Sequence, residues 1–206
     1  LSSFQLMGID SFTPQISLLL NITEAHLDYH TDIDEYRQAK LNLIANQTAD
    51  QFCVYNAEDE VIVNGLSRTK ATCVPFSLTS VVDGAYLSEG DVYFKDEKII
   101  DIESILLKGD HNLQDVLGAV AVSKLYGCDT EAIKRVLKRF VGVKHRLQYV
   151  DEVNGVKYYN NSKATNVIAT QAALKAFEDS IILLAGGLDR QHDLSGLLPY
   201  FSKIKA

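Results

Sequence analysis

Short apolar runs alternate with amphipathic segments along the first half of this chain. Apolar residues spaced among charges over 32–46 predict a helix, and small apolar residues over 111–126 predict another. The runs at 51–55 and 71–76 predict short strands, and the pattern over 91–101 predicts a hairpin. Strands that alternate with helices are typical of an α/β fold, because parallel neighbours need a crossover connection, usually a helix.

A second α/β segment is predicted after Val143, where the character of the sequence changes. We place a domain boundary there, between residues 1–142 and 143–206. The Asn-Gly pair at 154–155 predicts a two-residue hairpin turn with positive φ at both positions. The apolar run at 180–185 predicts a fully buried parallel strand.

Composition and charge exclude several classes of protein. With 47% hydrophobic and 23% charged residues, the chain has the balance of a globular protein rather than a disordered one. The net charge of −7 argues against nucleic acid or an anionic membrane as the main partner. No apolar run, that around 16–20 included, approaches the roughly 20 residues that a membrane span needs. Cys53, Cys73 and Cys128 show no C-x-x-C spacing, which favours a reducing, cytoplasmic location over a disulfide framework or zinc site.

The sequence carries no self-sufficient nucleotide-binding motif. Neither G-x-x-x-x-G-K-[ST] nor G-x-G-x-x-G occurs in it. The chain also begins at Leu1, without a methionine or a signal-peptide pattern. We therefore expect it to be an internal part of a longer protein.

One polar cluster follows the first apolar run and extends onto the next predicted helix. It contains His26 and, on the helix, Lys40. A neutral His26 can bind a metal or a substrate oxygen. A lysine ammonium cannot ligate a metal, but a carbamate formed on Lys40 with CO2 would supply the oxygen ligands that magnesium prefers. The alternative is that His26 caps a turn and Lys40 is an ordinary exposed helix residue.

Two further clusters lie at the start of a predicted helix and at the domain boundary. Gly109-Asp-His-Asn112 opens a helix whose free N–H groups favour anions, although Asp110 or Asn112 would also serve as an ordinary cap. Arg146 is suited to bidentate contact with a phosphate. It would equally pair with an acidic neighbour such as Asp151.

The fourth cluster joins the loop at 160–166 to the glycine-containing segment at 186–190. Lys163 and Arg190 lie near a helix start and a glycine turn, which suits an anionic ligand. Either side chain would alternatively be a plain surface charge. Open α/β sheets bind ligands at the carboxyl ends of their strands, where all four clusters are expected.

Together and in this order, the clusters resemble the Mur ligases over nearly the whole chain. The strings that carry the resemblance are Ser2-Ser-Phe-Gln-Leu6, Asn21-Ile-Thr-x-x-His26-Leu-Asp-Tyr-His30, Tyr36-Arg-x-Ala-Lys40, Gly109-x-His-Asn112, Gly142-Val-x-His-Arg146, Asn160-x-Ser-Lys-Ala-Thr-Asn166 and Ala185-Gly-Gly-Leu-Asp-Arg190. The Ser-Lys-Ala-Thr-Asn string favours the member that adds D-glutamate to UDP-N-acetylmuramoyl-L-alanine. A sister Mur ligase, a folylpolyglutamate synthase and a non-catalytic ligand-binding module are the alternatives.

The resemblance implies a three-domain enzyme of which this chain is the middle. Residues 1–142 would be the second half of a central ATP-binding domain, and residues 143–206 the first half of a Rossmann-like C-terminal domain. The P-loop would lie upstream, and part of the D-glutamate pocket beyond residue 206. The implied reaction is ATP-dependent amide-bond formation through an acyl phosphate, with Mg2+, in cytoplasmic peptidoglycan precursor synthesis. A monomer without nucleic-acid partners or membrane insertion is expected.

The resemblance also assigns roles to ten residues by their position in the matching strings. They comprise the catalytic and metal-binding pair His26 and Lys40 (as a carbamate), the ATP-side residues Asn112, Arg146, Asn161 and Lys163, and the substrate-side residues Ser2, Gln5, Thr165 and Arg190. Two positions depart from the family pattern. Asn161 stands where the family usually has Asp, and Asp115 where a second Asn often follows, which puts the role of Asn161 in doubt.

Overall fold

The computed structural model describes residues 1–24, 26, 29–107, 109–178, 180–187 and 193–205. Contacts divide the chain into two compact units. The first unit comprises Leu1–Ile105 and Leu113–Lys138, and the second comprises Leu106–Asn112 and Arg139–Ala206.

The first unit contains six strands and five helices within the described residues. The strands are β1 (Ile16–Leu19), β2 (Phe52–Asn56), β3 (Thr72–Ser77), β4 (Ala85–Ser88), β5 (Asp91–Phe94) and β6 (Glu97–Asp101). The helices are α1 (Ser3–Met7), α2 (Ile33–Ala45), α3 (Glu60–Gly65), α4 (Asp110–Leu125, whose first turn belongs to the second unit) and α5 (Thr130–Leu137), with 3₁₀ turns at Leu66–Arg68 and Ile102–Ser104. Over the described ranges, no helix is both long and apolar enough to cross a membrane.

The six strands form one mixed sheet in the order β1-β2-β3-β4-β5-β6. The first four strands run parallel, and β4, β5 and β6 are joined by antiparallel pairing. Helix α2 connects β1 to β2 and helix α3 connects β2 to β3, as parallel neighbours require. The predicted α/β fold is confirmed, and β4 is a strand that the sequence pattern did not predict.

Helix α2 forms because a cap and an apolar stripe coincide. The Asp32 carboxylate accepts a hydrogen bond from the Glu35 N–H at 2.8 Å, which satisfies one of the free donors of the first turn. Tyr36, Leu41 and Ile44 are buried on the face turned to the sheet. The helix therefore holds Lys40, the residue just before Leu41, at a fixed place beside the core.

Two glycines give a test of how tightly this unit is packed. A Cβ at Gly84 would overlap the backbone carbonyl oxygen of Pro75, whereas a Cβ at Gly65 would lie 2.5 Å from the flexible Leu41 side chain. We expect Gly84→Ala to lower the free energy of unfolding by about 3 kcal/mol and Gly65→Ala by about 1 kcal/mol. Urea titration of both variants would measure this, and a Gly84→Ala variant as stable as Gly65→Ala would contradict it.

The second unit contains a two-stranded hairpin and two helical segments in its described part. These are β7 (Gln148–Val153), β8 (Val156–Asn160), α6 (Val167–Lys175) and a 3₁₀ segment at Ser195–Lys203. Asn154 and Gly155 have φ values of +52° and +78°, as the predicted hairpin turn requires.

The predicted buried strand at 180–185 is wrong. Only Ile181 pairs in this segment, through a single parallel bridge to Ile204, and Ile182 and Leu184 are 66% and 94% exposed. A strand buried on both faces needs neighbouring strands and a covering layer on each side. The described residues of this unit offer the segment at 180–185 only the one bridge to Ile204, so this apolar run does not form a strand.

Candidate functional site

The carboxyl ends of β1, β2 and β3 lie at one edge of the sheet, and side chains at and just after the end of β2 fix the chain that leaves β1. The Asn56 amide donates to the carbonyl of Leu20 at 3.0 Å, and the Asp59 carboxylate accepts from the Ile22 N–H at 2.8 Å. Asp59 also caps helix α3. The segment that leads towards His26 is therefore held at two points.

Glu58 fixes the loop that follows β3 at the same edge. Its Oε1 accepts hydrogen bonds from the Ser77 hydroxyl at 2.8 Å, the Leu78 N–H at 2.7 Å, and the Thr79 N–H and hydroxyl at 3.0 and 3.1 Å. Burial acts to raise the pKa of Glu58, but these donors outweigh it and hold the pKa below its usual value. The carboxylate is therefore an anion at neutral pH.

We expect the contribution of Glu58 to stability to disappear in acid. Because the folded-state pKa is lowered, the stabilisation is present above the usual glutamate pKa of about 4.3 and is lost as pH falls through the lower folded value. The difference in unfolding free energy between the wild type and Glu58→Gln should be largest at neutral pH and shrink below this range. Urea titrations at several pH values measure it, with Glu60→Gln on α3 as a control. A difference that is constant with pH would contradict the expectation.

His26 and Lys40 both lie against the ring of Tyr36. The His26 ring is 6.5 Å from the Tyr36 ring, centroid to centroid, and Lys40 Nζ lies 5.9 Å from the Tyr36 centroid. His26 adopts φ +58°, an uncommon conformation for a non-glycine residue, and packs edge-on to Phe4 at 5.1 Å. The two residues predicted as a metal-binding pair are thus brought to one aromatic side chain.

The environment of Lys40 favours the neutral amine. Burial lowers the pKa of Lys40, because the half-buried ammonium loses solvation. Lys40 Nζ donates a hydrogen bond to the Leu1 carbonyl at 3.3 Å. Carbamate formation needs a neutral amine, so this environment suits the predicted modification.

The fit of this pair to magnesium depends on that modification. Over the described residues, no three His, Cys, Asp or Glu side chains are grouped to hold a metal. Unmodified, the pair offers only nitrogen atoms, whereas Mg2+ prefers oxygen ligands in octahedral geometry. The pair therefore fits magnesium only with Lys40 as a carbamate.

Ser2 and Gln5, the predicted substrate-side residues of this unit, form the cap of α1. The Ser2 hydroxyl accepts from the Gln5 N–H at 3.2 Å, and Gln5 Oε1 accepts from the Ser2 N–H at 2.8 Å. This reciprocal capping box satisfies the free donors at the helix start. It also fixes the two side chains next to each other, with Gln5 exposed.

Hydrogen bonds in the second unit join two loops that carry predicted ATP-side residues. The Asn161 amide oxygen accepts from the Leu147 N–H, and the His145 carbonyl accepts from the Lys163 N–H, both at 3.0 Å. Asn160 Nδ2 lies 3.0 Å from His145 Nδ1. Arg146, between His145 and Leu147, is therefore placed beside the loop that bears Asn161 and Lys163.

The charged side chains of these loops are exposed. Among the described residues the structure gives Arg146 no ion pair, so the alternative of a pair with Asp151 is not realised. Lys163 and Thr165 are exposed as well, and Asn166 caps helix α6 by accepting from the Ala169 N–H at 2.8 Å. Cations held near a helix start suit an anionic ligand.

Asn161 keeps the hydrogen-bond acceptor that an aspartate would supply at its position. Its amide oxygen accepts the Leu147 N–H, a bond that a carboxylate oxygen would also accept. The substitution removes a negative charge and adds an N–H donor, while the loop connection is kept. The hydrogen bond that joins the two loops therefore does not require a carboxylate at this position.

Two predicted residues remain. Asn112 is buried in the first turn of α4, and its N–H donates to the Gly109 carbonyl at 3.0 Å. Gly109 has φ +92°, and a Cβ there would lie 2.9 Å from the His111 ring, so the turn before Asn112 requires glycine. Arg190 lies outside the described residues.

Sequence reasoning missed Asn56, Glu58 and Asp59. All three lie within four residues of the end of the predicted strand at 51–55, which is the signal that would have found them. It also assigned no role to His30, whose side chain is fully buried in the structure.

Residues 2–123 match the Mur ligase middle domain family. The chain belongs to the Mur ligase family. Over its whole length it is 53% identical to a UDP-N-acetylmuramoylalanine–D-glutamate ligase of Geobacillus sp., and it spans 46% of that relative. The chain therefore covers about half the length of the curated Mur ligases that it matches.

Solved structures of other ligases have the same fold as this Mur ligase chain. A UDP-N-acetylmuramoyl-L-alanyl-D-glutamate–2,6-diaminopimelate ligase aligns over 92% of the chain and 42% of its own, with a TM-score of 0.65 and 19% identity. The MurF ligase of Thermotoga maritima, in complex with ADP, aligns over 93% and 46%, with a TM-score of 0.64 and 16% identity. At these identities the likeness concerns the fold alone.

Proposed function

We propose that the protein containing this chain is an ATP-dependent ligase that adds D-glutamate to UDP-N-acetylmuramoyl-L-alanine. The observation that carries the proposal is the 53% identity over the whole chain to a relative with that printed activity. The reaction would belong to peptidoglycan precursor synthesis. Residues 1–142 would be the second half of its central ATP-binding domain and residues 143–206 the first half of its C-terminal domain.

The loops of the second unit are proposed to contact ATP. Phosphoryl transfer needs positive charge around the phosphates, because negative charge is spread over their oxygens in the transition state. Arg146 and Lys163 are exposed cations on two loops joined through His145, and the Arg146 guanidinium can hold a phosphate by two parallel hydrogen bonds. Asn161 and Asn112 would bind polar atoms of the nucleotide.

Substrate and metal are proposed to bind near α1 and α2. Ser2 and Gln5 would face the muramoyl substrate, and Thr165 and Arg190 the incoming D-glutamate. His26 and the carbamate of Lys40 would hold Mg2+, which when bound neutralises phosphate charge. The alanyl carboxylate would be activated as an acyl phosphate, because a carboxylate oxygen is a poor leaving group, and the amine of D-glutamate would displace phosphate.

Phosphate release by the full-length protein tests this function. We expect release to require ATP, Mg2+, UDP-N-acetylmuramoyl-L-alanine and D-glutamate together, with L-glutamate as the matched control. Release with a UDP-muramoyl dipeptide and a third amino acid would indicate a sister Mur ligase. Release with a folate and L-glutamate would indicate a folylpolyglutamate synthase. Ligand binding without release under any of these conditions would indicate a non-catalytic module.

A cytoplasmic monomer is proposed as the working form. The net charge of −7 is what supports a protein whose main partner is neither nucleic acid nor an anionic membrane. Light scattering of the full-length protein would measure its mass. A dimer mass would contradict the proposal.

A further inference from the structure

His30 is a fully buried polar side chain that joins α1 to α2. Its side chain is 0% exposed, and its Nε2 lies 2.9 Å from the hydroxyl of Ser3, which is itself 1% exposed. The ring stacks on Phe4 at 5.7 Å and packs edge-on to Tyr36 at 5.4 Å. Its Nδ1 lies 3.7 Å from Glu35 Oε2.

The surroundings of His30 favour a proton on Nδ1, the ring nitrogen that faces Glu35. Glu35 Oε2 accepts hydrogen bonds from the Thr31 N–H at 2.7 Å and hydroxyl at 3.0 Å, which lower the pKa of Glu35 and keep it anionic. An anion facing Nδ1 favours the tautomer with its proton there. We therefore assign Nε2 as the acceptor and the Ser3 hydroxyl as the donor.

The order Ser3, His30, Glu35 is that of a serine hydrolase triad, but burial excludes this chemistry. A nucleophile has to reach its substrate, and Ser3 is only 1% exposed. The arrangement therefore holds two helices together instead of activating a hydroxyl.

The residues around His30 are those proposed for the site. Ser3 follows Ser2 in α1, and Ser2 and Gln5 are fixed by their capping box. Tyr36, on the other side of the His30 ring, is the side chain against which His26 and Lys40 lie. The His30 N–H also donates to the His26 carbonyl at 3.0 Å. His30 thus links α1, the His26 segment and α2.

We propose that His30 is a positioning residue that fixes α1, and with it Ser2 and Gln5, for the muramoyl substrate. This rests on the proposed function. Because Ser2 and Gln5 face that substrate and not ATP, loss of the Ser3–His30 bond weakens one substrate selectively. The KM for UDP-N-acetylmuramoyl-L-alanine is the quantity that reports it.

The test uses His30→Phe, His30→Gln and Ser3→Ala in the full-length enzyme. His30→Phe and Ser3→Ala each remove the bond that holds α1 and leave its other partner buried without a hydrogen bond. We expect the KM for UDP-N-acetylmuramoyl-L-alanine to rise about tenfold in both variants. The KM for ATP and kcat should stay within about twofold, because these substitutions remove only the side-chain bond to α1 and keep the backbone bond from the residue 30 N–H to the His26 carbonyl. The double variant should be no worse than either single one. His30→Gln, whose amide oxygen can accept the Ser3 hydroxyl, should restore most of the affinity.

The matched control is Gln47→Leu. Gln47 is 2% exposed, follows the other end of α2 and bonds to Ser17 at 2.8 Å, so its loss should lower Tm without changing either KM.

A Tm loss in the His30 and Ser3 variants with unchanged KM values would overturn the proposal, as would a fall in kcat alone. If His30→Phe does not fold, the KM of Ser3→Ala for UDP-N-acetylmuramoyl-L-alanine decides between the two outcomes. Labelling of wild-type Ser3 by a fluorophosphonate would also overturn it. Absence of wild-type turnover would instead overturn the proposed function.

Discussion

Lys40→Ala in the full-length enzyme is expected to reduce D-glutamate-dependent phosphate release by about a thousandfold. In the free form, the Lys40 ammonium would repel a magnesium ion bound to His26. As a carbamate, the same side chain carries a negative charge and supplies oxygen ligands. Its burial against Tyr36 lowers the pKa of the amine, which favours this reaction with CO2.

Chemical rescue separates this role from a structural one. We expect a short-chain carboxylate such as propionate to occupy the vacated position and restore part of the turnover of Lys40→Ala, in proportion to its concentration. The matched control is Lys124→Ala, since Lys124 is another helix lysine shielded from solvent (17% exposed side chain) and pairs with Glu97 at 2.7 Å. Full turnover of unrescued Lys40→Ala would show that Lys40 is an ordinary helix residue.

The parts of the fold that follow from local sequence were predictable. Helix α2 required only an apolar stripe and the Asp32 cap, and the β7–β8 turn required only Asn154-Gly155. The segment at 180–185 has an equally clear local pattern, yet it does not form a strand. A strand depends on partners distant in sequence, which an apolar run does not encode.

The candidate site likewise contains residues that local sequence points to and residues that only the fold brings together. Motif strings singled out His26, Arg146 and Asn161 as candidates because each lies in a short recognisable pattern, and their roles stay predictions. The contact between Ser3 and His30 spans 27 positions, and that between Asp59 and Ile22 spans 37. No periodicity in the sequence brings such residues together. They become visible only when the parallel sheet aligns the ends of its strands and α1 lies on α2.

Asn161 illustrates why a departure from a family pattern has to be judged in the folded chain. By sequence alone, the loss of a carboxylate puts the role of the position in doubt. In the structure its oxygen accepts the Leu147 N–H, and a backbone donor is satisfied by an amide oxygen as well as by a carboxylate. The charge lost at Asn161 also leaves the neighbouring cations of Arg146 and Lys163 with one anion fewer to pair with. We infer that the loop favours an anionic ligand more strongly with Asn than it would with Asp.

Arg146→Ala in the full-length enzyme is therefore expected to impair the use of ATP. Loss of a charged hydrogen bond to phosphate costs about 1.5–3 kcal/mol, or about a 10- to 150-fold fall in kcat/KM for ATP. Arg146 has no carboxylate partner among the described residues, so its removal breaks no ion pair there that would explain a stability loss. Arg146→Lys keeps the charge but not the bidentate fork and should lie between wild type and alanine.

The control for charge alone is Arg135→Ala on α5, an exposed arginine of the first unit. Steady-state kinetics with varied ATP would measure all three variants, and thermal unfolding would check that each is folded. The distinction between binding and chemistry comes from kcat. Loss of a contact made equally to bound ATP and to the transition state raises only the KM. Loss of a contact that tightens as charge moves during phosphoryl transfer also lowers kcat. Unchanged kcat and KM in Arg146→Ala would leave the joined loops without a phosphate contact at this position, and Lys163 would then be the remaining cation to test.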